Sequence, residues 1–399
     1  MVPVPDALAA ILERTTALPT ESVPLVEALG RVLAREVAAD ADLPGLPRSS
    51  VDGYAVRSAD SAPDRRVLAE VTAGRLAHTQ VGSGEAVAIM TGGTIPQGAD
   101  AVVMVEDTDH AGEVVRLHRL PHAAENIHPP GMDLVRGQVV ARAGERIGPS
   151  EVGLLASVGA SEVPVVRRPR VAILATGDEV VEPWETPPPG AVRDSNRYAL
   201  MASAQAAGAT VVWHRHGRDD EALLASLVRE ALEVCDVLIT SGGVSMGTRD
   251  LMKPLLERTG TVHFGRVSFK PGKPLTFATT AAGQLLFGLP GFPVSSLVTF
   301  EVFVRPALLK LGGHHRVLRP RVQARIVQPL RPDPLRLEYQ RVRVRWEDGE
   351  LVAHSTGLQA SSRLLSIAGA NGLLEIEPGT VVLPAGTRIP TLLLVDLDL

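Results

Sequence analysis

RVAILATGDEV, residues 170–180, is the stretch on which the fold turns. After Arg170 it runs through five consecutive apolar residues to Thr176. A strand with one wet face alternates apolar and polar residues. A strand covered on both faces, as in a parallel sheet, does not need to. The run breaks at Gly177, Asp178 and Glu179, which is turn chemistry. The same grammar then repeats. NRYALMASAQAAG (196–208) reads as a helix ending at Gly208, and ATVVWHRH (209–216) as a strand. DDEALLASLVREALEV (219–234) reads as a helix capped by Asp219 or Asp220. CDVLITSGG (235–243) and GQLLFGLPG (283–291) are strands ending in glycine, and PVSSLVTFEVFVRPALLKL (293–311) is a helix. Strand alternating with helix predicts a doubly wound α/β domain over 166–313.

The flanks have other rhythms. Residues 1–37 suggest two helices, broken at Pro19 and near Pro24. Residues 137–165 contain a helix starting near Ser150 and capped by it, and the two pieces are assigned to one elongated helix and strand subdomain. Between them, 38–136 holds short β-like runs punctuated by Gly, Pro and Asp, a small β-rich module. From 314 to 399 apolar and polar residues alternate, as in RVQARIVQPL and EYQRVRVRW, predicting a C-terminal β-barrel-like domain.

Composition narrows the function. The 399 residues carry a net charge of −5, against bulk nucleic-acid binding. No run reaches the roughly 18 apolar residues of a membrane span. The N-terminus has no basic leader but carries Asp6 and Glu13, and the single cysteine, Cys235, lies in a strand-like run. These features predict a cytoplasmic protein with an inert, buried thiol. The histidines show no ligand spacing for zinc. The sequence has no Walker A or GxGxxG pattern, which disfavours a P-loop NTPase and a nicotinamide dehydrogenase.

In an open α/β sheet, ligands sit beyond the carboxyl ends of the strands. Three loops occupy such places. ATGDEV (175–180) offers Asp178 and Glu179, either as a plain capped turn or as polar and metal-linked contacts. TSGGVSMGTRD (240–250) offers Gly242 and Gly243 for close backbone approach to an anion, Ser241 and Ser245 as donors, and Asp250 as a carboxylate for Mg²⁺. GLPGFPVSS (288–296) fixes its loop with Pro290 and Pro293 and places Ser295 near a helix start. FKPGKP (269–274) lies between the last two. The chain has 40 basic residues and only four are lysine, yet Lys270 and Lys273 stand three apart here. A compact ammonium suits an oxyanion. In the β-rich module RSSVDGYA (48–55) puts Asp52 in a tight turn, and AIMTGGTIPQGADAVV (88–103) puts Thr91 before two glycines. Arg341, Arg343 and Arg345 alternate and share one strand face, which is solvated, anion-facing or a patch for RNA.

Taken in order, VDGYAV, AIMTGGTIPQGADAVV, RVAILATGDEV, RDSNRYAL, SGGVSMGTRD, KPGKP, GLPGFPVSS and SSRLLSIAGANGL resemble the molybdopterin molybdenumtransferase family, which includes the C-terminal domain of gephyrin. The resemblance covers essentially the whole chain. It implies a Mg²⁺-dependent, metal-binding transferase of molybdenum cofactor biosynthesis: adenylyl-molybdopterin and molybdate become molybdenum-molybdopterin, with release of AMP. It also implies a homodimer with the active site between protomers, and the upstream adenylyltransferase as a possible partner. By the same resemblance Asp250 serves adenylate cleavage and Mg²⁺. Lys270 and Lys273 bind the oxyanion, with Ser295, Arg341 and Ser361 around it. Glu179, Asp219, Asp52 and Thr91 match further active-site positions, the last two supplied by the partner protomer. The chain departs from the family pattern at Phe292, where asparagine is usual, at Arg266, a substrate-binding position where lysine is common, and in NIHPPGMD (126–133).

Two rivals stand beside this reading. A molybdopterin adenylyltransferase shares the α/β domain but typically stands alone and follows SGG with Thr-Gly, where this chain has SGGVS and three more modules. A non-enzymatic, gephyrin-like scaffold would tolerate loss of Asp250, Lys270 and Lys273, which are all present.

Overall fold

The computed structural model describes residues 1–243 and 251–395. Its centre is a six-stranded mixed sheet. Helix α1 (Val4–Glu13) belongs to this body and not to the N-terminal elongated region where the sequence placed it, because Val4, Ala7 and Ile11 are buried in the same core as the sheet. Their i, i+3, i+7 spacing makes one apolar stripe. The Lys310 ammonium also holds the end of the helix, donating to the Leu12 carbonyl at 2.7 Å.

The expected second N-terminal helix, beyond the break near Pro24, is only a short turn, Leu25–Glu27, and the segment before it is a strand. Thr20–Pro24 pairs antiparallel with Glu162–Val166. Val23, Val163 and Val165 are buried together with Leu33 and Ile147. Here a partner strand distant in sequence overrides local helix preference. Helix α2 (Pro149–Ser157) starts one residue earlier than the sequence suggested, and Ser150 is not its cap. Pro149 sits in the first turn, and the Glu151 carboxylate accepts the Gly148 N–H at 2.9 Å. The β-rich module is a six-stranded sheet in the order Ala101–Met104, Gly53–Val56, Glu85–Ile89, Asp64–Val71, Val114–Leu117, Thr108–Ala111.

The central strands are β1 (Arg170–Thr176), β2 (Thr210–Gly217), β3 (Val237–Ser241), β4 (Thr261–Phe264), β5 (Thr276–Thr279) and β6 (Leu285–Leu289). Their order is β2-β1-β3-β6-β5-β4. The first four are parallel, β5 runs antiparallel to them, and β4 pairs antiparallel with β5 at the edge. Helices α3 (Asn196–Ala206), α6 (Pro293–Thr299) and α7 (Arg305–Leu311) cover one face together with α1, and α4 (Glu221–Leu232) and α5 (Met252–Thr259) cover the other. A π-helical segment, Phe300–Val304, joins α6 to α7. The Asp220 side chain caps α4, accepting from Leu223 N–H at 2.7 Å. The expected doubly wound domain is therefore present. The β4–β5 hairpin was not anticipated, and its connection carries FKPGKP.

The C-terminal strands are β7 (Arg321–Ile326), β8 (Leu337–Glu347), β9 (Glu350–Ser355), β10 (Gly372–Ile376) and β11 (Arg388–Leu393). They run β8-β9-β7-β11-β10 and close through a β8–β10 pairing into a five-stranded barrel. Closure pairs each strand with two neighbours, but the start of β8 keeps one side open. Phe269–Lys270 adds alongside, parallel to Leu337 and Glu338.

Asp236 clamps the entry to the α/β sheet. It accepts two bonds from the Arg167 guanidinium, both at 2.9 Å, and one from the Arg170 backbone N–H at 2.8 Å. Burial alone would raise its pKa, but the bonds from Arg167 and Arg170 outweigh burial and hold the carboxyl below its ordinary range. Asp236→Asn should therefore cost about 2–3 kcal/mol near neutral pH. The folded pKa is depressed, so the contribution is complete above the unfolded value near ~4 and fades as pH falls through the folded value. Urea unfolding of both proteins from pH 7 to pH 3 checks this. A gap that stays constant with pH would contradict it. Cys235, beside this clamp, is buried, and burial pushes its thiol up to about 12.

Candidate functional site

The chain passes from β1 to β2 on one side of the sheet and then to β3 on the other. That reversal opens a crevice beyond the carboxyl ends of β1 and β3. A cavity of about 810 Å³ fills it. Its floor is the end of β1 (Ala175, Thr176, Gly177) and the end of β3 (Ser241, Gly242, Gly243). The loop after β6 (Pro290 to Pro293) forms one wall, with Ser295 behind it. The barrel contributes Ser362 and Leu364.

Two glycines have to be glycine here. Gly242 has φ +97°, and a Cβ on it would lie 2.6 Å from the Thr176 carbonyl oxygen and 2.9 Å from its hydroxyl. Gly272, in FKPGKP, has φ +123°, and a Cβ there would lie 2.5 Å from both the Phe269 ring and the Thr299 hydroxyl. The first lets two strand ends meet under the ligand space. The second lets the lysine segment fold tightly against the helix behind it.

A residue the sequence reading did not select ties the loops together. Asn196 donates from Nδ2 to Ser241 Oγ and to the Gly291 carbonyl, both at 2.8 Å. It lies in RDSNRYAL, at the start of α3, and it lines the cavity. A polar residue in the first turn of a helix was the available signal. Just before it, Asp194 is buried at 4% exposure and also lines the cavity. Its Oδ1 accepts the Arg197 backbone N–H at 2.9 Å, and Arg197 Nε lies 2.9 Å from Oδ2, an off-line contact that makes an ion pair without a good hydrogen bond. Arg197 also binds both oxygens of Glu182, at 2.6 and 2.5 Å, and the Tyr198 hydroxyl donates to Glu182 at 3.0 Å. Burial would raise the Glu182 carboxyl, but these two donors prevail and hold it below the ordinary range. Arg197 thereby pins a short ribbon, Val180–Val181 beside Val192–Arg193, that forms a further wall.

Of the expected residues, Glu179, Asp219, Gly242, Gly243, Pro290, Pro293 and Ser295 all line the cavity. The Asp178 carboxylate accepts the Asp219 N–H at 3.1 Å, joining the loops after β1 and β2. Ser245 and Asp250 lie outside the described residues. Lys270, Lys273 and Arg266 are not among the lining residues, although Pro274 beside them is. Lys273 is exposed. The Lys270 ammonium is 3.2 Å from the buried Glu338 carboxylate and 4.0 Å from Asp333. Ser361 accepts the Val294 N–H through its carbonyl at 3.1 Å, next to the cavity wall. Arg341 is fully buried and donates to Ser366 Oγ and the Ala360 carbonyl. Burial pushes it down to about 10, so it remains charged at neutral pH. Arg343 and Arg345 are exposed. The three arginines share a face, but the segment 359–366 packs over Arg341 alone.

Asp52 and Thr91 meet each other: Asp52 Oδ1 accepts the Thr91 N–H at 2.6 Å and its hydroxyl at 2.8 Å. Those two bonds, the backbone one first, hold the Asp52 carboxyl below its ordinary range. The pair is on the β-rich module, and neither residue lines this cavity.

Among the described lining residues the charges are Glu179, Asp194 and Asp219 against Arg193. No group of three acidic, histidine or cysteine side chains among the described residues is arranged to hold a metal by itself. Mg²⁺ does not need such a cage, because it takes one or two carboxylates together with substrate phosphates and water. No helix among the described residues is long and apolar enough to cross a membrane.

A switch-point cavity with glycine-bearing strand ends and an acidic rim, carried on a doubly wound domain between a β module and a small barrel, defines a multidomain ligand-binding protein of the α/β class. Three family models match in succession: the MoeA N-terminal region (domain I and II) over residues 2–159, a probable molybdopterin binding domain over 172–310, and the MoeA C-terminal region (domain IV) over 323–394. The chain belongs to the molybdopterin molybdenumtransferase family. It is 35% identical to the molybdopterin molybdenumtransferase of Bacillus subtilis, over 98% of this chain and 94% of that one. It is also 35% identical to gephyrin of Dictyostelium discoideum over 99% of its own length, and spans 62% of that longer protein. The crystal structure of a molybdopterin biosynthesis MoeA protein from Pyrococcus horikosii superposes with a TM-score of 0.85 at 30% identity, covering 99% of this chain and all of that one.

Proposed function

We propose that this chain acts in molybdenum cofactor biosynthesis as a transferase, converting adenylyl-molybdopterin and molybdate to molybdenum-molybdopterin with release of AMP. The observation that carries the reading is the cavity at the β1–β3 switch point, with Gly242, Gly243 and Ser241 on its floor and Glu179 and Asp219 on its rim. Its volume of about 810 Å³ suits an elongated ligand of this size. The glycines let main-chain donors approach phosphate oxygens. Glu179 and Asp219 are the described carboxylates that would hold Mg²⁺, which would neutralise charge on the phosphates being separated. Asp250, assigned to the same work, lies outside the described residues.

Lys270 and Lys273 are read as the oxyanion residues. Lys270 already faces Glu338, so molybdate would share its ammonium with that carboxylate. Asp52 and Thr91 pair with each other away from this cavity, and they are read as residues that a partner protomer would supply in a homodimer.

Incubation of the purified protein with adenylyl-molybdopterin, molybdate and Mg²⁺ should release AMP and form the cofactor. Absence of AMP under conditions in which the Bacillus subtilis relative works would reject the reading. Within the same assay, Lys270→Ala should raise the molybdate KM about tenfold or more, the worth of one charge-assisted bond, and leave AMP affinity within twofold. The control is Glu338→Gln, which separates oxyanion binding from relief of the buried carboxylate. Equal loss of molybdate use and AMP affinity would remove Lys270 from the oxyanion site.

A further inference from the structure

Phe292 is the one aromatic side chain among the described residues lining the cavity, and 60% of it is exposed. It sits at the cap position of α6, where no side-chain bond is made to the helix N–H groups. Asparagine, aspartate, serine and threonine are preferred there because their oxygens satisfy one of those donors. The chain has placed a phenyl ring at a position that favours a polar cap, and has left the ring facing the ligand space.

The ring is mounted on a stiff support. Pro290 and Pro293 flank it, and Asn196 holds the Gly291 carbonyl immediately before it at 2.8 Å. The Phe292 carbonyl accepts the Ser296 N–H at 2.9 Å, fixing the backbone on the other side. Beside it the loops after β3 and β6 touch, since a Cβ on Gly291 would lie 3.6 Å from the Gly242 Cα. Nearby lining groups are small or main chain. A flat, rigid, exposed apolar face beside phosphate-suited glycine loops matches the shape of a nucleotide-like ligand, with its planar ring at one end and its phosphate at the other.

We propose that Phe292 is a stacking platform for a planar heteroaromatic ring of the substrate, the pterin or the adenine, and so a specificity-determining residue of this site. The proposal rests on the reading above and names the part of the substrate that this chain recognises in its own way. Stacking on an aromatic face tolerates different rings, because each presents a π-face.

The test uses calorimetric titration of the full chain with two probes, AMP and a pterin monophosphate, on wild type, Phe292→Ala, Phe292→Asn and Phe292→Trp. Alanine and asparagine should weaken one probe by roughly tenfold and leave the other within twofold, and tryptophan should keep or tighten binding. The probe that weakens identifies the ring. Asparagine is the better cap, so that variant should melt no lower than wild type, which separates stacking from damage to α6. Unchanged binding of both probes, equal loss of both, or no binding of either by the wild type would each overturn the platform. AMP release is read separately. Wild type that binds a ring through Phe292 but releases no AMP would sink the reaction and keep the platform. Phe292→Ala that releases AMP at the wild-type substrate KM would sink the platform and keep the reaction.

Discussion

Arg197→Met is expected to lower the stability of the fold by about 3–5 kcal/mol, the usual result of removing one partner from a buried ionic cluster. The Arg197 side chain is 5% exposed and holds two carboxylates, Glu182 at 2.5 Å and Asp194 at 2.9 Å, and the side chain of the second is itself buried. Methionine matches the side-chain length but leaves Asp194 facing a low-dielectric interior without a counter-charge. The ribbon at 180–193 would lose its anchor, and with it the wall that carries Glu179. Urea denaturation measures the first effect, and AMP release at a temperature where the variant is still folded measures the second. A loss below about 1 kcal/mol would mean that the cluster contributes no more than an exposed ion pair. The companion change Asp194→Asn combined with Arg197→Met should recover part of the loss, since the stranded charge is then gone.

Gly242→Ala carries the second large effect, and here the rate suffers more than the fold. At φ +97° an alanine is strained, and its methyl would lie 2.6 Å from a main-chain oxygen of β1 that cannot swing aside. The strain costs about 1–3 kcal/mol. Relieving the clash moves the end of β3 away from the end of β1, and these are the two elements whose separation sets the floor of the cavity. A displacement of about 1 Å at such a place costs on the order of a hundredfold in rate. Single-turnover AMP release should therefore fall by about that factor while the circular dichroism spectrum stays unchanged. Wild-type turnover in a folded Gly242→Ala protein would show that the ligand does not lie against this loop.

The α/β core was legible because buried parallel strands leave a local signature. The runs at 171–175, 237–239 and 285–287 are apolar without interruption, and each strand stops at glycine or proline. Barrel strands were legible through alternation. What failed was structure set by distant partners. Thr20–Pro24 is a strand because Glu162–Val166 lies beside it, and nothing within five residues announces that. Helix α1 carries its own periodicity, but the surface it packs on is decided by tertiary contacts with the sheet. At the site, sequence reasoning found residues whose chemistry is conspicuous: Glu179, Asp219, Gly242, Gly243 and Ser295 do meet around one cavity. It passed over Asn196, Asp194 and Arg197, whose work is to hold loops and not to face a ligand alone. Lys270 shows the opposite limit. A lysine retained in an arginine-rich chain was a fair signal, but the carboxylate waiting for it, Glu338, is 68 residues further along on another module.

The two residues Phe269–Lys270 bear on how such a chain can be rebuilt. They leave the α/β hairpin to run beside barrel strand β8, and the Phe269 ring packs edge-on against Phe303 from the helix layer at 5.3 Å and Tyr339 from the barrel at 6.2 Å. A recombinant chimera cut at the apparent junction near residue 314 would divide this cluster between two parents. Barrel exchange between homologous proteins would then succeed only when the donor also supplies the segment around 266–274. For module shuffling, the unit of inheritance is the barrel together with its borrowed strand.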